Sequence, residues 1–271
     1  MNVTFDTNTF GPLCSQEDYP DNPDLPNFAK IKDLITLGKI NPYISEGSLS
    51  LEALSHNDRI DKFIREWAKK SKGIELPEPA PIRIAIVEKA FELGVKVLHV
   101  PRIALGSFVE VPEQNWALDA NFPTKERQER YFQFVRDFSS IGPSQLKKLG
   151  ASLVTLHNID TSHVINFPGW PTPEELLWAK GIVAEYDNPK QFESSKKFTR
   201  HIRDIIAEWD DLDILASHYG YGFELFCTND QSKSTGIKGV FHSTNQRDIF
   251  SKYNIRFVTP YELIGKIDKN V

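Results

Sequence analysis

The chain of 271 residues lacks most of the features that mark the large functional classes. Cys14 and Cys227 are its only cysteines and neither belongs to a CxxC pair, so a disulfide framework is excluded and a reducing, cytoplasmic setting is expected. No apolar run approaches the roughly 20 residues that span a bilayer, so no membrane association is expected. An early Asp6 and the absence of a basic flank argue against a secretory leader. The P-loop consensus is missing, and no GxGxxG follows a strand, which removes the common nucleotide cradles. There is no HExxH or Cys/His cluster for zinc and no GxSxG elbow for a serine hydrolase. His157 and His163, six apart, read as loop residues without a catalytic role. Internal repeats and low-complexity stretches are also absent. The net charge of -5 argues against a surface coated with cations for duplex DNA.

What the chain does have is carboxylates in suggestive places. Residues 1–55 carry 3 Lys/Arg against 8 Asp/Glu, residues 201–271 carry 8 against 10, and residues 56–200 carry 21 against 19. Acidic ends beside a slightly basic middle suit a metal enzyme that acts on a polyanion. Asp211 to Asp230 reads DLDILASHYGYGFELFCTND. Ile214, Leu215 and Tyr219 recur at helical spacing, so a helix is expected with Asp211 in its opening turn and Gly220 and Gly222 at its end. The apolar run Phe223 to Cys227 predicts a strand, with Thr228-Asn229-Asp230 just past it; Cys227 reads as core. Met1 to Phe5 predicts another strand, ending in Asp6-Thr7-Asn8. Two distant strands would thus each deliver an aspartate beside a threonine to the edge where open α/β sheets bind ligands.

Between these ends, Gly11 to Pro26 reads as a proline-broken loop. A helix capped by Asn27 follows, with Phe28, Ile31, Leu34 and Ile35 inward and Gly38 at its end. Lys39 to Ser45 is a second strand, in which Pro42 hints at an edge or a strand end. The next helix carries Glu52 about one turn in. Glu52 and Glu46 both lie near that strand's end, and Glu52 is preferred because a helix holds it. Further helices are expected over 58–72, 82–93, 124–138, 143–149, from the capping box at Thr172, and over 194–209, with strands over 95–100, 108–111 and 153–156. A helix near Arg247 and a strand Ile255 to Val258, closed by Pro260, complete the chain. Strand–helix alternation at the two ends predicts one doubly wound α/β unit with a parallel sheet, core from 1–55 and 201–271, and a mostly helical insertion over 56–200 within a single domain.

Carboxylates gathered at one site repel, and a hard cation relieves them; oxygen-only ligands favour Mg²⁺ or Mn²⁺. FDTN at the first strand, an acid in the helix after the second, the block from Asp211 through ILA to FCTND, and the late YNIRFVTP strand together resemble the PIN-domain nucleases. The resemblance implies a three-layer α/β/α fold around a parallel sheet and hydrolysis of RNA with Mg²⁺ or Mn²⁺. It also implies partners of the kinds many members have, an antitoxin-like protein and a second copy in a homodimer. Carried over, Asp6, Glu52, Asp211 and Asp230 match the four acids, catalytic and metal-ligating, and Thr228 matches the hydroxyl of the T-x-D element. Asp210 and Asp213 rival Asp211, which is preferred because ILA follows it at the family's spacing. Lys196, Lys197 and Arg200, or Arg127 and Arg130, are expected to hold the RNA backbone. Two other readings compete: a non-catalytic PIN-like scaffold that binds RNA or protein, and a phosphatase or receiver-type acid cluster served by Lys233.

Overall fold

The computed structural model describes residues 1–49, 81–101, 110–117, 124–138, 196–230 and 239–268. Expectations for Glu52, for Lys233, and for the elements over 58–72, 143–149, 153–156 and from Thr172 lie outside those residues, as does most of the strand over 108–111. Among the described residues, five strands form one sheet: β1 (Asn2–Phe5), β2 (Asn41–Ser45), β3 (Lys96–Leu98), β4 (Leu225–Cys227) and β5 (Arg256–Val258). Their order is β3-β2-β1-β4-β5 and every pairing is parallel, as the strand–helix alternation predicts. The chain is an α/β protein. The order runs outward from β1 in both directions, so the topological switch lies between β1 and β4.

Val3 and Phe5 of β1 are fully buried in the main core, and Thr4 between them points to the opposite face, where its hydroxyl meets the His218 ring Nδ1 at 2.7 Å. The core on the first face gathers Phe10 and Leu13 of α1 (Thr7–Cys14), Phe28 and Ile31 of α2 (Leu25–Thr36), and Ile86 of α4 (Pro81–Glu92). Leu263 of α8 (Pro260–Asp268) completes it. A short helix α3 (Glu46–Leu49) starts where β2 ends. On the other face, Phe226 of β4 lies against the rings of His218 and Phe241.

Pro42 sits in β2, which is flanked on both sides, yet no ladder bond is lost. Asn41 N donates to Met1 O at 2.8 Å, so the alternate position 42 faces β3, and β3 first pairs with β2 at Tyr43. The missing donor falls where the sheet is locally an edge.

Three local expectations are corrected. The stretch read as a loop from Gly11 is helical in its first residues, because Asp6 caps α1 and Phe10, Leu13 and Cys14 gain burial around Pro12. Asn27 is not the cap of α2; it lies inside the first turn and donates to Asp24 Oδ1 at 3.0 Å. Asp211 does not open a helix: α6 runs unbroken from Lys196 to Tyr221, so the helix expected over 194–209 and the one after it are one element. Nothing between them forbids this, since Asp disfavours a helix interior by well under 1 kcal/mol, far less than the burial of Leu212, Ile214 and Leu215 returns. Two further α-helices among the described residues are α5 (Lys125–Asp137) and α7 (Ser243–Tyr253).

The chain divides into two compact units. The first comprises Met1–Leu54, Glu78–Arg136 and Asp210–Val271; the second comprises Ser55–Pro77 and Asp137–Trp209. Much of the expected insertion therefore belongs with the sheet, since residues 78–136 supply β3, α4 and most of α5. The described part of the second unit is chiefly the N-terminal stretch of α6. No helix among the described residues is long and apolar enough to cross a membrane.

Two glycines should respond oppositely to the same substitution. Gly222 stops α6 with φ +75°, and a Cβ there would stand 3.1 Å from Arg130 Nη1, whereas Gly265 in α8 has open space around it. Gly222→Ala is expected to cost about 1–2 kcal/mol and Gly265→Ala to be neutral or stabilising by up to about 1 kcal/mol. Urea unfolding of both variants checks the pair; equal effects would contradict the assigned backbone.

Candidate metal and phosphodiester site

Asp6 caps α1 at the carboxyl end of β1, and Thr228 follows β4 directly. The two residues, 222 apart in sequence, share a hydrogen bond in which the Thr228 hydroxyl donates to Asp6 Oδ2 at 2.6 Å. Strand pairing sets this up: Asp6 N donates to Cys227 O at 2.9 Å and Thr228 N to Val258 O at 3.0 Å. Asn8 Nδ2 donates to the same Oδ2 at 2.7 Å, and Thr7 N to Oδ1 at 2.8 Å. Asp230 N donates back to Thr228 Oγ1 at 2.9 Å, which fixes the FCTND turn against the first strand.

With 4% of its surface exposed, the Asp6 carboxyl is in a poor place for a charge. Burial pushes its pKa from the usual 3.8 up to about 6; the hydrogen bonds from Thr228, Thr7 and Asn8 resist the rise and the charge of Asp230 adds to it. Thr7 Oγ1 also reaches Ser48 Oγ at 3.3 Å, which draws the starts of α1 and α3 together beside the strand ends.

The other candidates are placed as follows. Asp210 and Asp213 are buried on α6, and Asp211 is half-buried. Asp213 accepts from the Tyr131 hydroxyl at 2.6 Å. Asp210 looks toward the end of β2, where a Cβ on Gly47 would stand 3.2 Å from its Oδ1, and Ser217 one face-turn on donates to Ser45 Oγ at 3.0 Å. Glu46 accepts from Val100 N at 3.1 Å, so it is held toward β3, on the far side of β2 from Asp6. Arg127 and Arg130 lie over the rings of Tyr221 and Tyr219, 4.6 and 4.7 Å from the centroids, and fasten α5 to α6. Lys196, Lys197 and Arg200 belong to the opening turns of α6, in the second unit. Among the described residues, no group of three or more His, Cys, Asp or Glu is placed to hold a metal ion.

Sequence reading missed Asp24, whose Oδ2 accepts from Asn229 Nδ2 at 2.9 Å. No spacing rule singles out an aspartate in a loop between prolines. His218 was missed as well; burial pushes its pKa down to about 3, so it is a neutral partner of Thr4 under the sheet. Its position three and four residues after Leu215 and Ile214, on the buried face, was the available signal.

The Asp6 shift has a definite sign. Its folded value lies above its unfolded one, so its stabilising contribution is complete below about pH 3.8 and is lost as pH rises through about 6. With chelator present, Asp6→Asn should gain about 2 kcal/mol relative to the parent between about pH 4 and pH 7. Urea unfolding of both proteins at the two pH values measures this, and the His218 contribution cancels in the difference. A gap that does not change with pH would show that Asp6 is ionised at its ordinary value.

Comparison of the chain with protein-family models, curated proteins and solved structures gives no match.

Proposed function

We propose that the protein is a three-layer, PIN-like α/β nuclease that hydrolyses RNA phosphodiester bonds with Mg²⁺ or Mn²⁺. The observation that carries this reading is the hydrogen bond from the Thr228 hydroxyl to the Asp6 carboxylate, which joins the FDTN and FCTND strand ends at the switch point of an all-parallel sheet. Asp6 and Asp230 would hold the cation together with Glu52 as an oxygen-only set, whereas Asp210 and Asp211 on α6 form no three-acid group with Asp6 and Asp230 among the described residues. The fit rests on the Asp6 carboxyl, buried and held near neutrality beside a second negative charge, a state that a divalent ion would relieve. When bound, such an ion supplies Lewis acidity to a phosphodiester and makes water a better nucleophile at neutral pH.

The residues of the chain divide the remaining work. Thr228 and Asn8 orient Oδ2 of Asp6, leaving Oδ1 with a single backbone donor. Before any cation binds, the Asp6 carboxyl, with a pKa of about 6, is mostly ionised at neutral pH, which makes its oxygens available as ligands. Lys196, Lys197 and Arg200 would neutralise backbone phosphates, and an antitoxin-like protein or a second copy of the chain would be the partner that restrains or completes the site.

One observation favours a second reading, a non-catalytic scaffold of the same fold. The Asp6 carboxylate already accepts three hydrogen bonds, which is also what a helix cap tying two strands together requires. The two readings part in a single assay. Labelled RNA incubated with Mn²⁺ should be cleaved by the parent and at least about a hundredfold more slowly by Asp6→Asn, with chelator abolishing both activities. Equal rates, or no cleavage by the parent, would leave the scaffold.

A further inference from the structure

Beyond the acids, along the outer edge of β5, runs an open groove of about 1410 Å³ bounded by α2, α7 and α8. Sites for drug-sized molecules occupy about 300–1,000 Å³, so this one suits an extended ligand better than a compact one. Its charge is one-sided. Lys30, Arg247, Arg256 and Lys266 line it against a single acid, Glu262, in a chain whose net charge is -5. Glu262 is also occupied, accepting from Thr259 N at 2.8 Å as the capping partner of α8. Arg256 is paired with Glu224 at 2.7 Å, and Arg247 and Lys266 set the sign of the field.

Aromatic surface lies in the same groove. Tyr261 is 72% exposed and Phe250 46% exposed, values that burial in a core would not leave, and the Arg256 guanidinium covers one Phe250 face at 5.4 Å from the ring centre. Cations alternating with exposed rings form the combination that binds unpaired bases and their phosphates. The groove also leads to the acids. Val258, on its wall, accepts from Thr228 N, and Asn27 donates to Asp24, which in turn holds Asn229.

We infer that this groove is a track for single-stranded nucleic acid, with Phe250 and Tyr261 stacking bases, Arg247 and Lys266 neutralising phosphates, and the strand led toward Asp6 and Asp230. The inference rests on the nuclease reading only for the choice of RNA over DNA.

Fluorescence anisotropy of the full chain with a labelled single-stranded RNA, in chelator so that no cleavage intervenes, tests it. Arg247→Glu combined with Lys266→Glu should weaken binding at least tenfold and lower the slope of log affinity against log salt by about 1.4. Phe250→Ala and Tyr261→Ala should each weaken it about tenfold while leaving the salt slope unchanged. Duplex RNA should bind more weakly than the single strand, since its bases are already stacked; tighter binding of single-stranded DNA than RNA would keep the track and reassign the polymer. Circular dichroism melts verify that these substitutions leave the fold intact. Unchanged RNA affinity in the charge-reversed or aromatic variants overturns the track, as does an acidic peptide that binds as tightly as RNA. Failure here is separable from failure of the nuclease reading: binding without Mn²⁺-dependent cleavage refutes only the latter, and full cleavage by the charge-reversed variant refutes only the track.

Discussion

Everything at the candidate site depends on the parallel pairing of β1 with β4. Parallel neighbours finish at the same end of a sheet, so whatever follows one strand is set beside whatever follows the other. Here that places a capping aspartate against a threonine hydroxyl at 2.6 Å, in a spot too dry for the carboxylate to be comfortable. The hydrogen bond and the charge conflict are two aspects of one juxtaposition. A third donor, Asn8, reaches both residues at 2.7 and 3.2 Å, so the cluster is rigid before any ligand arrives.

Strands and their terminal residues were legible because short apolar runs bounded by polar turn residues have few alternatives in an α/β chain. FDTN and FCTND could therefore be placed at strand ends from sequence. Helix boundaries were less legible. Asp210, Asp211 and Asp213 are poor helix formers and resemble caps, yet tertiary burial of the residues around them carries α6 through without a break. That continuity matters to the site, because it makes the orientation of each aspartate a matter of helical phase. Asp210 shares its phase with Ile214 and Ser217, which touch the end of β2, and Asp211 is rotated away from it.

One element was readable and went unread. Thr259-Pro260-Tyr261-Glu262 is a capping box with proline at the first helical position, and the Thr259 hydroxyl and Glu262 carboxylate exchange the reciprocal bonds that motif predicts. Taking Pro260 only as the end of a strand hid α8, and with it one wall of the β5 groove. The acids of the second strand's helix are a different matter: Glu46 is drawn off by a backbone amide beyond β3, a contact between distant segments that no local pattern encodes.

The 222 residues between Asp6 and Thr228 also bear on the protein's birth. At usual elongation rates of about 5–20 residues per second, roughly 10–45 s separate synthesis of the first aspartate from that of its hydroxyl partner. Throughout that interval β1 has no β4 beside it, and a nascent chain carries the opening half of the acidic notch without its closing half. On the nuclease reading proposed above, a chain arranged in this way would be inert on the ribosome by topology alone, and an unfinished copy would spare nearby transcripts.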